Sequence, residues 1–203
     1  AHGAFSTYAE TTRMTTGKTP DLKLLLQQIN RSVFEAGRGK AQASCILCCF
    51  NTQSGRLEMM NLSHEHPLLH RIGFGGRPKH DEERYVRMEV ERFAPLGKSA
   101  EVKFKSQFFQ LKPDDLIIFT SKGMKENIAE GSILKSIANL YDDFGLQAAK
   151  IAPGMSKKCG EIWKLKPGEF PPDDVTTVVV AIPKKAFFMA VEEIAPKKEA
   201  KAA

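Results

Sequence analysis

Apolar residues recur first at helical spacing and then at strand spacing. Phe5, Tyr8, Ala9 and Thr12 share one face of a helix predicted over Ala4–Thr16. Leu22, Leu25, Leu26, Ile29 and Val33 form a second stripe. It opens on Thr19-Pro20-Asp21, with Thr19 as N-cap and Pro20 at the first helical position, and Gly37 stops it. The period then changes to two. Ala43–Phe50 and Arg56–Leu62 read as a hairpin across Asn51–Gly55, and Leu68–Ile72 continues the sheet. The glycine-rich, charged stretch Gly73–Glu83 reads as a loop. In Tyr85–Phe93, Val86, Met88 and Val90 alternate with Arg87, Glu89 and Glu91, the pattern of a half-buried strand. Val102–Lys105 also alternates, and Leu116–Thr120 is a short apolar strand. Ile133, Ile137, Leu140 and Tyr141 mark a helix over Ser132–Tyr141. A shorter helix, Leu146–Ala152, is expected to break at Pro153-Gly154. Asp173–Ala181, rich in β-branched residues, is the last core strand. This order predicts an α+β domain with helices packed on antiparallel sheet, over residues 1–185. Residues 186–194 suit an extra strand or short helix, and Ala195–Ala203 a disordered Lys/Ala tail.

Composition narrows the class. A chain of 203 residues with 42% hydrophobic content suits one globular domain. No apolar run approaches the length that spans a bilayer. The net charge is +6, but the basic residues are scattered apart from Lys197, Lys198 and Lys201. No aromatic-basic interleaving appears, so no nucleic-acid partner is expected. Of four cysteines, Cys45, Cys48 and Cys49 lie on one strand and Cys159 stands alone. Residues 45 and 48 face opposite sides of a strand, which argues against a shared zinc and for buried, reduced thiols in a cytoplasmic protein. There is no signal peptide and no initial Met, so Ala1-His2-Gly3 reads as the interior of a longer protein.

Candidate chemistry concentrates at Pro171-Pro172-Asp173-Asp174-Val175-Thr176. Two carboxylates stand at the mouth of a strand, which holds them rigidly, and rigid oxygen ligands suit Mg²⁺ or Mn²⁺. The same residues are also ordinary turn chemistry. Gly73-Phe74-Gly75-Gly76 has no helix close behind it and reads as a loop rather than a phosphate cradle.

Several spaced motifs together resemble the PPM-type metal-dependent serine/threonine phosphatases, in the bacterial branch typified by SpoIIE and RsbU. His2-Gly3-Ala4 resembles the end of that branch's Gly-Asp-Val-Ser-Gly-His-Gly. Asn61-Leu62-Ser63-His64-Glu65-His66-Pro67-Leu68-Leu69 resembles its Asn-Ala-Gly-His-x-Pro-Pro-Leu-Leu. Pro95-Leu96-Gly97 resembles its Pro-Leu-Gly. Residues 111–120 resemble the strand that ends in its Thr-Asp-Gly, and Asp173-Asp174-Val175-Thr176 its Asp-Asp-Val-Thr. The resemblance covers roughly residues 1 to 181 and implies a β-sandwich of antiparallel sheets flanked by helices. It further implies two Mn²⁺ or Mg²⁺ ions that activate a water against a phosphoserine or phosphothreonine. The implied partner is a phosphoprotein regulator of the anti-sigma-factor antagonist type, and a homodimer is compatible with it.

This chain departs from the pattern twice. The family's first carboxylate, and the strands before it, would precede Ala1. Where the second carboxylate belongs, the chain reads Thr120-Ser121-Lys122-Gly123, so Ser121 or Lys122 stands at a vacated metal position. Asp173 and Asp174 remain as metal ligands, while His64 and His66 fall in a structural segment. Two functions fit: a phosphatase, or a non-catalytic pseudophosphatase that keeps the docking surface. In the second, Lys122 or Ser121 is expected to contact Asp173 or Asp174 in place of the ion.

Overall fold

The structure is a computed structural model that describes residues 21–71, 85–166, 168–169 and 173–184. The helix expected over Ala4–Thr16, the Thr19 cap, Pro20, the loop at 73–83 and the elements after residue 185 lie outside the described residues. So do His2-Gly3-Ala4 and Pro171-Pro172.

The first described element, α1 (Leu22–Ala36), buries the expected stripe through Leu22, Leu25, Leu26 and Ile29. Asp21 is its N-cap: one carboxylate oxygen accepts from the Lys23 and Leu24 N–H groups at 2.7 and 3.1 Å. The cap thus falls two residues later than Thr19.

The chain then builds β1 (Cys45–Asn51) and β2 (Arg56–Leu62), paired antiparallel from Cys45 opposite Leu62 to Asn51 opposite Arg56. Asn51 closes the turn by accepting from Gln53 and Ser54 N–H. β3 (Leu68–His70) pairs antiparallel with β4 (Tyr85–Arg87). β5 (Arg92–Phe93) runs parallel to Asn61–Leu62 of β2, a two-residue exception to the expected antiparallel arrangement. β6 (Gln107–Gln110) pairs antiparallel with the other end of β2. β7 (Leu116–Thr120) pairs with β3 and with β8 (Thr177–Ala181). One sheet therefore runs β1-β2-β5, with β6 also on β2, and the other runs β4-β3-β7-β8.

Helices cover both outer faces. α1 packs on Met60 and Leu62. Beyond the second sheet, α2 (Lys122–Asn127), α3 (Glu130–Phe144) and α4 (Ala148–Ile162) bury Met124, Ile133, Ile137, Ile151 and Met155 against Leu116 and Ile118. Between the sheets lie Leu57, Met59, Leu69, Met88, Val90, Ile117 and Ile182. Each fully buried side chain of this size contributes about 1.5–3 kcal/mol. The result is an α/β/β/α sandwich.

Four local expectations are corrected. Tyr85–Phe93 is not one strand. It leaves the second sheet after Arg87, buries Met88 and Val90 between the sheets, and joins the first sheet at Arg92. Val102–Lys105 alternates in exposure without strand partners; Phe104 packs on the α1 cluster, and the strand proper starts at Gln107. Pro153 does not end its helix: α4 passes through it and buries Ile151, Met155 and Cys159. The last strand begins at Thr177, not Asp173.

A buried ion pair pins the sandwich. Asp115 is 1% exposed and accepts from Arg71 Nε at 2.8 Å, Arg71 Nη2 at 2.6 Å and the Lys112 N–H at 2.8 Å. Arg71 also donates to the Gln110 carbonyl, so one guanidinium joins β6 of one sheet to the end of β7 in the other. Val178 and Val180 share the inward face of β8 with Phe119 and Ile117. Among the described residues β8 has a strand partner only on its β7 side, and they remain 50% and 39% exposed.

Candidate functional site

Two segments meet where the sequence places its carboxylates. β7 ends at Thr120 and turns through Ser121 into α2, while residues 173–176 run past that turn into β8. The Ser121 N–H donates to the Thr176 carbonyl at 2.9 Å. The Ser121 hydroxyl donates to the Asp174 carbonyl and accepts from the Thr176 N–H, each at 3.0 Å. Gly123 follows close behind. A Cβ there would stand 2.6 Å from the Asp174 carbonyl oxygen and 2.8 Å from Asp173 Cγ, so only glycine permits this approach. Asp173 and Asp174 are exposed, and the Asp174 N–H donates to Asp173 Oδ1 at 2.7 Å.

Ser121 therefore meets the expected contact through the backbone of residue 174, as a strut rather than a counter-ion. Lys122 does not meet it. Its amine lies 3.0 Å from Glu126 one helical turn on, with the side chain 72% exposed. The hydrogen bond to Glu126 raises the Lys122 amine above its ordinary range; Asp173 adds a smaller attraction.

The segment at residues 61–66 folds as a built loop. Asn61 is fully buried; its amide donates to the His64 carbonyl at 3.1 Å and accepts from the His64 N–H at 2.8 Å. This closure lets Ser63 adopt a positive φ of 56°. His64 bonds to the neighbouring Glu65 carbonyl, and His66 Nδ1 faces the Val90 N–H at 3.3 Å. Both histidines are thus held by backbone. Gly97 of Pro95-Leu96-Gly97 takes φ +78° and abuts Ala41 and Val33. Its N–H donates to the buried Asn30 side chain, which binds the loop to α1.

The sequence did not reveal the charged cluster beside α2. Lys125, mostly buried, donates to the His66 carbonyl at 3.0 Å and lies 3.7 Å from Glu65. Arg92 reaches the same Glu65 oxygen at 3.1 Å, and Arg87 pairs with Glu130. Burial holds the Lys125 amine below its usual range. These residues are far apart in sequence and only strand pairing gathers them, so no local spacing announces them.

A dication needs several converging oxygens. Among the described residues no group of three or more His, Cys, Asp or Glu side chains converges for a metal. Asp173 and Asp174 offer two carboxylates, but Ser121 is committed to backbone and Lys122 adds a positive charge nearby. The described residues do not fit Mn²⁺ or Mg²⁺.

A two-sheet sandwich flanked by helices on both outer faces is the fold of the PP2C-type phosphatase domains. The chain belongs to the Stage II sporulation protein E (SpoIIE) family, whose profile matches residues 1–183. Solved structures share the fold at low identity. The PP2C phosphatase domain and regulatory fragment of Bacillus subtilis SpoIIE is 18% identical, with TM-score 0.56, over 90% of this chain and 49% of that one. A Mycobacterium tuberculosis protein solved as its RsbU and RsbW domains is 17% identical, with TM-score 0.55, over 88% and 46%. The serine/threonine phosphatase PstP of the same organism is 17% identical, with TM-score 0.55, over 80% and 71%. The chain thus spans about half the length of the first two. No curated protein sequence matches it. Solved relatives include a phosphatase domain soaked with Mn and one in complex with two manganese ions. No helix among the described residues is long and apolar enough to cross a membrane.

Proposed function

We propose that this domain recognises a phosphoserine- or phosphothreonine-bearing regulator of bacterial signalling without hydrolysing it, as a pseudophosphatase in the cytoplasm. One observation carries the reading. The chain reads Thr120-Ser121-Lys122-Gly123 where the family reads Thr-Asp-Gly, so Ser121 or Lys122 replaces its aspartate, and the close approach of Gly123 to Asp173 supports Lys122. Lys122 offers no carboxylate oxygen at that position, and its amine turns to Glu126 instead, so a hard dication lacks a ligand. The anti-sigma-factor antagonist class is the partner we favour, and the joining of RsbU and RsbW domains in the M. tuberculosis relative supports it.

The enzyme reading has its own support in the exposed Asp173 and Asp174 carboxylates. Hydrolysis of p-nitrophenyl phosphate with and without Mn²⁺ separates the two. The expected result is no Mn²⁺-dependent turnover, and Lys122→Asp is the variant most apt to create it. Mn²⁺-dependent turnover by the unaltered chain, lost in Asp173→Ala, would overturn the proposal and make this a phosphatase.

A further inference from the structure

Among the described residues, β8 presents an unguarded margin. Thr177-Val178-Val179-Val180-Ala181 carries no charge and no proline, the residues that keep sheet edges from pairing. The Ser121 N–H donates to the Thr176 carbonyl, and the Ile182 N–H to the Asp115 carbonyl. Even-numbered residues thus turn their backbone groups to β7, and alternation leaves the N–H and C=O of Thr177, Val179 and Ala181 facing away from it. Val178 and Val180 point inward yet stay partly exposed. The other sheet is open on the same side. Met88–Val90 carry the chain from β4 to β5, so those margins lie together and β1 and β8 share the opposite side. On β1, Ile46 and Phe50 reach the core between the sheets, while Cys48 between them is exposed.

The chain around β8 is complementary to itself. Two antiparallel copies of a strand related by a two-fold axis pair residue by residue about their centre. Val179 is the centre of β8, and its backbone groups face the open side, as a hydrogen-bonded pair on the axis requires. Thr177 then meets Ala181 of the second copy. Val178 meets Val180 of the second copy on the inward face, a close pair of β-branched side chains. The charges beyond the strand match as well. Asp173-Asp174 precede β8 and Lys184-Lys185 follow it, at equal distances in sequence from Val179. The pairing brings Asp174 towards Lys184 of the second copy at both ends. The Lys184 side chain is 76% exposed and reaches Asp114 only at 3.8 Å, so its amine can turn to a second carboxylate. Sliding one copy by two residues separates these charges and leaves part of β8 unpaired. We infer that β8 is the interface of a symmetric homodimer, in which a second copy of this chain pairs antiparallel with it about Val179. The sheet β4-β3-β7-β8 then runs on into its copy, and Val178 and Val180 are covered.

Sedimentation equilibrium of the full 203-residue chain, over a range of concentrations, tests the interface. A reversible monomer–dimer equilibrium is expected. Val178→Lys, which sets a charge against Val180 of the second copy, should raise the dimer Kd at least roughly tenfold. Asp174→Lys brings like charges together at both ends and should raise it roughly fivefold. Combining Asp174→Lys with Lys184→Asp restores opposite signs and should return Kd to within about twofold of the unaltered chain. A misfolded variant does not give that recovery. A monomer at every concentration, the result if another segment covers β8, would overturn the interface. A dimer indifferent to Val178→Lys would place the contact elsewhere and overturn it too. Weakening by Asp174→Lys without recovery in the double variant would overturn the pairing about Val179.

Discussion

At the scale of single residues, the Arg71–Asp115 pair stands out from the other ion pairs, because its carboxylate is buried. Exposed pairs such as Arg31–Glu35 contribute little, because water and salt screen them. Removing a buried partner leaves the other charge uncompensated. Asp115→Ala also leaves the Lys112 N–H without its acceptor and frees the guanidinium that joins the two sheets. It is expected to lower unfolding free energy by about 2–4 kcal/mol in urea titration, with Asp115→Asn losing less. A loss under about 0.5 kcal/mol, the level of an ordinary surface change, would contradict this role. Neither residue is conspicuous in the sequence. Asp115 sits in an ordinary Pro-Asp-Asp turn and Arg71 follows a short strand, so their meeting depends on β3 pairing with β7.

Among the elements, those with a strong local period were legible. Leu22 to Ile29 gave α1, and the alternation across Asn51–Gly55 gave the hairpin, because burial on one face enforces the period along the chain. Elements decided by distant packing were not. Tyr85–Phe93 keeps one alternation while changing sheets, and Phe104 is buried by α1 rather than by a strand partner. Pro153 is carried within α4 because Ile151 and Met155 on either side are buried in the core, which outweighs the lost hydrogen bond. The meeting of Ser121 with the 173–176 segment was legible through the family resemblance, but the direction of Lys122 towards Glu126 was not. The turn into α2 gives a paired test. Gly123→Ala forces a Cβ into the 173–174 backbone and should destabilise by about 1–3 kcal/mol. Gly160→Ala, in α4 with nothing within 4 Å, should stabilise by about 0.5–1 kcal/mol. Thermal melts of the two variants moving the same way would show that Gly123 is not a contact glycine.

For the molecule as a whole, two sheets joined face to face share one core, with helical layers closing both outer sides. The sheets are less well closed at their margins. Among the described residues β8 has a partner only on its β7 side, and Val178 and Val180 turn partly exposed flanks inward. An unsatisfied row of backbone donors and acceptors beside apolar side chains is a template for another strand. Chains that meet along β8 are expected to extend one another's sheets, so β-rich aggregate should form on storage at a rate that rises with concentration. Val178→Lys, which puts a charge on that margin, should lengthen the lag of thioflavin-T fluorescence and preserve the monomer peak in size-exclusion chromatography. An unchanged lag would place the weakest edge of the molecule elsewhere.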